Sequence, residues 1–117
     1  MSEEKLKNLI DTYPKYAPIF KAVFTWFVTH PKQIGVSLEF FYNKKYDFSK
    51  EEIDIAFFLM KQTSVVKPIY RVLDNDGTRI GKDFESIDEI PEYVDTMWGE
   101  KKSKDEVFIV PYYTLTS

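Results

Sequence analysis

The sequence contains no cysteine and a single histidine, His30. The first absence excludes disulfides, thiolate metal sites and cysteine nucleophiles together, and the second excludes a multi-histidine metal centre. Glycine is scarce, four in 117 residues, and none of the four stands in a phosphate-cradling loop. The chain has no run of about 18 apolar residues and no basic stretch leading into an apolar one. Both absences argue against a membrane span and a secretory signal, so the expected location is the cytoplasm.

What is present suits one core-forming domain: 44% hydrophobic and 30% charged residues. The net charge of −3 is not that of a chain built as a polycation for nucleic acid. Aromatics are abundant, with ten Phe, eight Tyr and two Trp. That is more ring surface than a small interior readily houses, so part of it is expected to meet a partner.

Residues 2–12 read as a helix capped by Ser2, with Leu6, Leu9, Ile10 and Tyr13 on one stripe and Pro14 as its stop. A second helix is expected from about Lys15 or Pro18 to Thr29. Ile19, Val23, Trp26 and Phe27 form one row and Phe20, Phe24 and Val28 another, and His30 caps its C-terminal dipole. Ser37 opens a third helical stretch, with Leu38 and Phe41 inward, ending near Lys45. Ser49-Lys-Glu-Glu52 is a capping box that starts another helix with Ile53, Ala56, Phe57 and Met60 on its inner face. Thr63 and Ser64 end it, and Val65 and Val66 return to the core.

A strand pattern, Pro68-Ile-Tyr-Arg-Val-Leu73, then meets Asp74-Asn-Asp-Gly77 and a second run to Phe84. Asp76-Gly77 predicts a type I′ hairpin turn. Ser86-Ile-Asp-Glu89 reads as a second capping box before a short helix interrupted by Pro91. Residues 100–106 read as a charged loop. Val107 to Val110 and Tyr112-Tyr113 read as an edge strand split by Pro111. The division expected is an N-terminal helix over 1–14, a core over 15–84 and an extension over 85–117.

The order of these elements resembles a winged helix-turn-helix domain. Ser37-Leu38 with Phe41 looks like the start of that family's second helix. Ser49 to Ile53 with Ala56, Phe57 and Met60 looks like its third, and Val65-Val66 with Pro68 to Val72 looks like the entry to its wing. The turn before Ser49 departs from the pattern, being a residue longer and lacking glycine. The resemblance implies an α+β fold: three helices and a β-hairpin wing, with an added N-terminal helix and a small C-terminal extension. Asp88-Glu-Ile-Pro-Glu92 and Val107-Phe-Ile-Val110 are similar to the zinc ribbon that follows the wing in some bacterial modules. The metal cysteines are absent, and Asp74 to Gly77 stands where a first pair would be. The likeness therefore implies a metal-free version held by aromatic packing, and an accessory role in multi-component prokaryotic systems, including defence systems.

The outward face of the helix opened by Ser49 comprises Lys50, Glu51, Asp54, Ile55, Phe58 and Lys61. It carries no net positive charge, whereas a major-groove reader wants Arg, Lys, Asn or Gln there. The apolar line Ile55–Phe58 is therefore read as partner-binding, unless the tail or the first helix covers it. Phe108, Tyr112 and Tyr113 on the edge strand form a second candidate patch. The leading expectation is a non-catalytic adaptor or accessory subunit needing no cofactor. The alternative is a DNA-binding regulator, dimeric through its N-terminal helix, with Lys44, Lys45, Lys67, Arg71, Arg79 and Lys82 on phosphates. An inhibitor encoded by a phage or plasmid is a third reading. Residues 72–83 do not make a calcium loop, because Val72 would occupy its first ligand position. The sequence holds no Gly-x-Ser-x-Gly elbow, and paired acids such as Glu51-Glu52 and Asp88-Glu89 lie at helix starts.

Overall fold

The computed structural model describes residues 3–116; the cap expected from Ser2 lies outside them. The architecture is α+β, and the described residues form three α-helices and two two-stranded sheets. The chain divides into two compact units, Met1–Lys67 with Tyr113–Ser117, and Pro68–Tyr112.

The first unit is built on α1 (Glu3–Thr12), α2 (Ala17–Thr29) and α3 (Lys50–Gln62). In α1, Leu9 is buried while Leu6, Ile10 and Tyr13 pack against the core, as their spacing requires. In α2, Ile19, Phe20, Val23 and Trp26 are buried, but the second row runs out to solvent, since Val28 is exposed. His30 closes α2. Its backbone amide donates to the Trp26 carbonyl (2.9 Å), its Nδ1 lies 2.9 Å from the same oxygen, and its ring stacks on Trp26. The same last-turn carbonyl also accepts from the Thr29 hydroxyl (3.2 Å).

The stretch after Ser37 differs from the expected continuous helix. It forms two 3-10 turns, Leu38–Tyr42 and Lys44–Tyr46, broken at an extended Asn43, and Ser37 makes no side-chain cap. Aromatic residues are indifferent helix formers, and here ring packing sets the backbone. Phe41 is fully buried, with Phe40, Tyr46 and Phe57 at centroid distances of 5.2, 5.3 and 5.7 Å. Asn43 accepts from the Lys45 amide (3.0 Å), and Asp47 takes a left-handed φ of 52°, a conformation aspartate tolerates.

The start of α3 is as read from sequence. Ser49 Oγ accepts from the Glu52 amide (3.1 Å), and the Ser49 amide donates to Glu52 Oε1 (3.4 Å). Ile53, Ala56, Phe57 and Met60 are buried. After Thr63 the chain turns at Ser64, with φ of 61°, and Val65 and Val66 re-enter the core. Residues from the far end of the chain complete this unit. Tyr113 exchanges both backbone hydrogen bonds with Val36 (2.8 and 2.9 Å), its ring lies 5.0 Å from Phe57, and the Thr116 amide donates to the Val65 carbonyl.

The second unit holds most of β1 (Val66–Leu73) and β4 (Phe108–Leu115), which pair with each other, and all of β2 (Tyr93–Asp95) and β3 (Lys101–Ser103). The turn after β1 is not type I′. Gly77 alone has positive φ (86°), its amide donates to the Asp74 carbonyl (2.9 Å), and Asp76 Oδ1 accepts from the Thr78 amide. Asp side chains bonding their own backbone favour this four-residue turn over the two-residue one. The returning chain forms isolated bridges, Leu73 to Arg79 and Tyr70 to Phe84, rather than a strand, and Gly81 turns left-handed between them.

Ser86 caps a single 3-10 turn, Ile87–Glu89, through the Asp88 amide. No helix follows Pro91, and the expected charged loop contains β3, paired antiparallel with β2 in the register Tyr93 to Ser103, Val94 to Lys102 and Asp95 to Lys101. Contrary to expectation, Pro111 does not split β4, which is continuous from Phe108 to Leu115. In a two-stranded sheet each strand has an open side, where a missing N–H breaks no ladder bond.

Val72, Ile80, Ile90 and Val94 form the small core of this unit. At its margin Lys102 Nζ donates to Asp74 Oδ1 at 2.6 Å, with both side chains largely buried. The Lys102 bond holds the Asp74 carboxyl below its ordinary 3.8, and the Asp74 bond raises the Lys102 ammonium above its ordinary 10.5. A lowered acid adds stability above its unfolded pKa that is lost as pH falls through the folded value. A raised base adds stability below its unfolded pKa that is lost as pH rises through the folded value. This unit is therefore expected to hold a stability plateau between about pH 4 and 10, falling away on both sides. Asp74→Asn should flatten both flanks, as read by thermal unfolding across pH; unchanged flanks would remove the pair from this role.

Candidate protein-contact surfaces

The outer face of α3 is divided along its length. Near its start, Tyr42 Oη donates to Asp54 Oδ1, and Lys50 Nζ lies 5.6 Å from the centroid of the same ring. Burial, followed by the Asp54 hydrogen bond, pushes the Tyr42 phenol above its ordinary value of 10.0. One turn on, Ile55 is half-buried, whereas Phe58 is 61% exposed although its neighbour Phe57 is 2% exposed. The helical period makes this contrast: Phe57 shares the face of Ile53 and Met60, and Phe58 points away from it.

The three strand candidates have different surroundings. Phe108 is exposed. Tyr112 is half-buried with the Arg71 guanidinium 4.5 Å from its ring centroid. Tyr113 is half-buried against Phe57, and its backbone edge is occupied by Val36, which leaves no opening for strand addition at that residue. Of the five sequence-derived contact residues, Phe58 and Phe108 thus present the most free surface.

The basic residues of the alternative reading are placed as follows. Arg71 donates to both Asp83 oxygens (3.1 and 3.2 Å), and Arg79 Nη2 lies 3.3 Å from Asp83 Oδ1. One carboxylate therefore holds both guanidinium groups. Lys82 lies over the Phe84 ring and Lys45 over the Tyr46 ring, and Lys44 and Lys67 are exposed.

The sequence reading missed three contact candidates: Tyr93 in β2, and Met97 and Trp98 in the turn that follows, 64%, 69% and 70% exposed. A Met-Trp pair directly before Gly99, within an otherwise polar stretch, is the signal that marks them.

Two grooves open on the first unit. One, of about 230 Å³, is lined by Leu9, Tyr13 and Val65 among others; a second, of about 390 Å³, is lined by Trp26, His30 and Tyr46 with Lys21 and Lys45. Neither lining includes a carboxylate. Among the described residues no group of three or more His, Asp and Glu is placed to hold a metal, and no helix is long and apolar enough to cross a membrane. Comparison with family models, curated proteins and solved structures finds no match for this chain.

Proposed function

We propose that this chain is a non-catalytic protein–protein interaction module, a small cytoplasmic adaptor or accessory subunit of a larger assembly. We place its core with the winged helix-turn-helix domains and its tail with their cysteine-less ribbon-like extensions, as the sequence resemblance implies. Prokaryotic defence systems use such accessory modules, and this chain fits that setting. The observation that carries the reading is the exposed Phe58 on the outer face of a well-capped helix, next to a buried twin. A large ring left in water on a rigid helix suits an interface anchor.

The regulator reading has less support. Two of its six cations share Asp83, and α3 itself sums to −1, which gives a phosphate backbone little to hold.

The test is capture of the tagged protein with its partners from its native cells, at moderate salt and with nuclease present. A stoichiometric protein partner is expected. Phe58→Ala should weaken that partner by about 2 kcal/mol, roughly 30-fold in Kd, while the thermal midpoint of the free protein stays in place. Recovery of nucleic acid alone would replace this reading with the regulator.

A further inference from the structure

The β2–β3 hairpin closes through Thr96. This residue is 6% exposed; its amide donates to the Glu100 carbonyl (2.8 Å), its carbonyl accepts from Gly99 (3.1 Å), and its hydroxyl accepts from the Glu100 amide (3.2 Å). Gly99 supplies the positive φ of 80°. Three hydrogen bonds around one buried threonine fix the turn, so the residues between, Met97 and Trp98, are held out in solvent.

Neither the fold nor the turn asks for apolar side chains there. The unit's core is complete without them, and turn centres favour Asn, Asp, Gly and Ser. Solubility disfavours them as well. An aromatic presented on a fixed turn lowers the backbone ordering cost of binding, and methionine beside it adapts to irregular surfaces.

The surroundings decide the partner's charge. The unit Pro68–Tyr112 carries eleven acids against six bases. All eight carboxylates of residues 85–106 are exposed, while Lys102 is neutralised by Asp74. An exposed apolar tip in so negative a field attracts cations and repels anionic partners, nucleic acid included.

We infer that the Met97–Trp98 tip is a docking point for a lysine- or arginine-rich protein segment that carries an apolar anchor residue. The inference rests on the reading of the chain as a protein-binding module, but it uses residues of the second unit, whereas Phe58 belongs to the first.

The experiment pans the immobilised full chain with a displayed library of random 16-residue peptides and measures the winners by titration. Enriched peptides are expected to combine several Lys or Arg with an aliphatic or aromatic residue. Their affinity should fall at least tenfold with Trp98→Ala, fall with Glu100→Lys, and weaken as salt rises, while Phe58→Ala leaves it unchanged. Winners without basic bias, or winners that bind Trp98→Ala as well as the parent, would overturn the inference. The native partner lost with Phe58→Ala would then still stand. Conversely, a tip that selects basic peptides when Phe58→Ala has no effect on the native partner would sustain the tip and remove the α3 surface.

Discussion

Phe57→Ala is expected to lower the free energy of unfolding by about 3–5 kcal/mol. The Phe57 ring is enclosed, with Phe41 at 5.7 Å and Tyr113 at 5.0 Å between centroids. Truncation removes buried apolar surface and leaves a cavity that those two rings cannot both relax into. Domains of this size are stabilised by only about 5–15 kcal/mol in all, so the loss is a large share of the total. The control is built into the sequence. Phe58→Ala removes the same atoms one residue later and should stay within about 0.5 kcal/mol, as surface changes do. Urea titrations of the two variants, followed by far-ultraviolet circular dichroism, measure the contrast. Equal losses would mean that Phe58 is held in the core, and the proposed interface would lose its anchor.

Ile90→Ala is the second large effect, about 2–5 kcal/mol. Only four residues form the buried core around Ile90, in a unit close to the roughly 40-residue size below which chains usually need a staple. The loss should be local. Amide exchange is expected to accelerate across residues 68–112 while the amides of α3 keep their protection, because the first unit has its own core. Uniform acceleration through both units would show instead that they unfold as one.

Sequence signals were strongest where local chemistry and burial agree. The box at Ser49 and Glu52, and the inward spacing of Ile53, Ala56, Phe57 and Met60, made α3 legible. They failed where a distant partner decides the backbone. Leu38–Tyr42 has helix-like spacing, yet the packing of Phe41 draws it into 3-10 turns. Lys101–Ser103 has no apolar alternation and becomes a strand only because Tyr93–Asp95 lies beside it. The same blindness hid part of the candidate surface. Phe58 followed from helical period, whereas Met97 and Trp98 needed a hairpin that periodicity does not announce. Tyr113 was legible as an aromatic on a strand, but not as a neighbour of Phe57 and Val36.

The closing of the first unit by Tyr113–Thr116 has a consequence for synthesis. Those residues leave the ribosome 46 or more positions after Lys67, a delay of roughly 2–9 s at ordinary elongation rates. Throughout that interval the helices exist without the strand segment that covers Phe57 and pairs with Val36. The unit between them is contiguous in the chain, but its last residues, up to Tyr112, emerge only just before Tyr113, so the two units are completed together. A nascent chain of this protein thus carries an unfinished aromatic face for seconds, and that is when a chaperone, or a partner already assembled, has its earliest access to it.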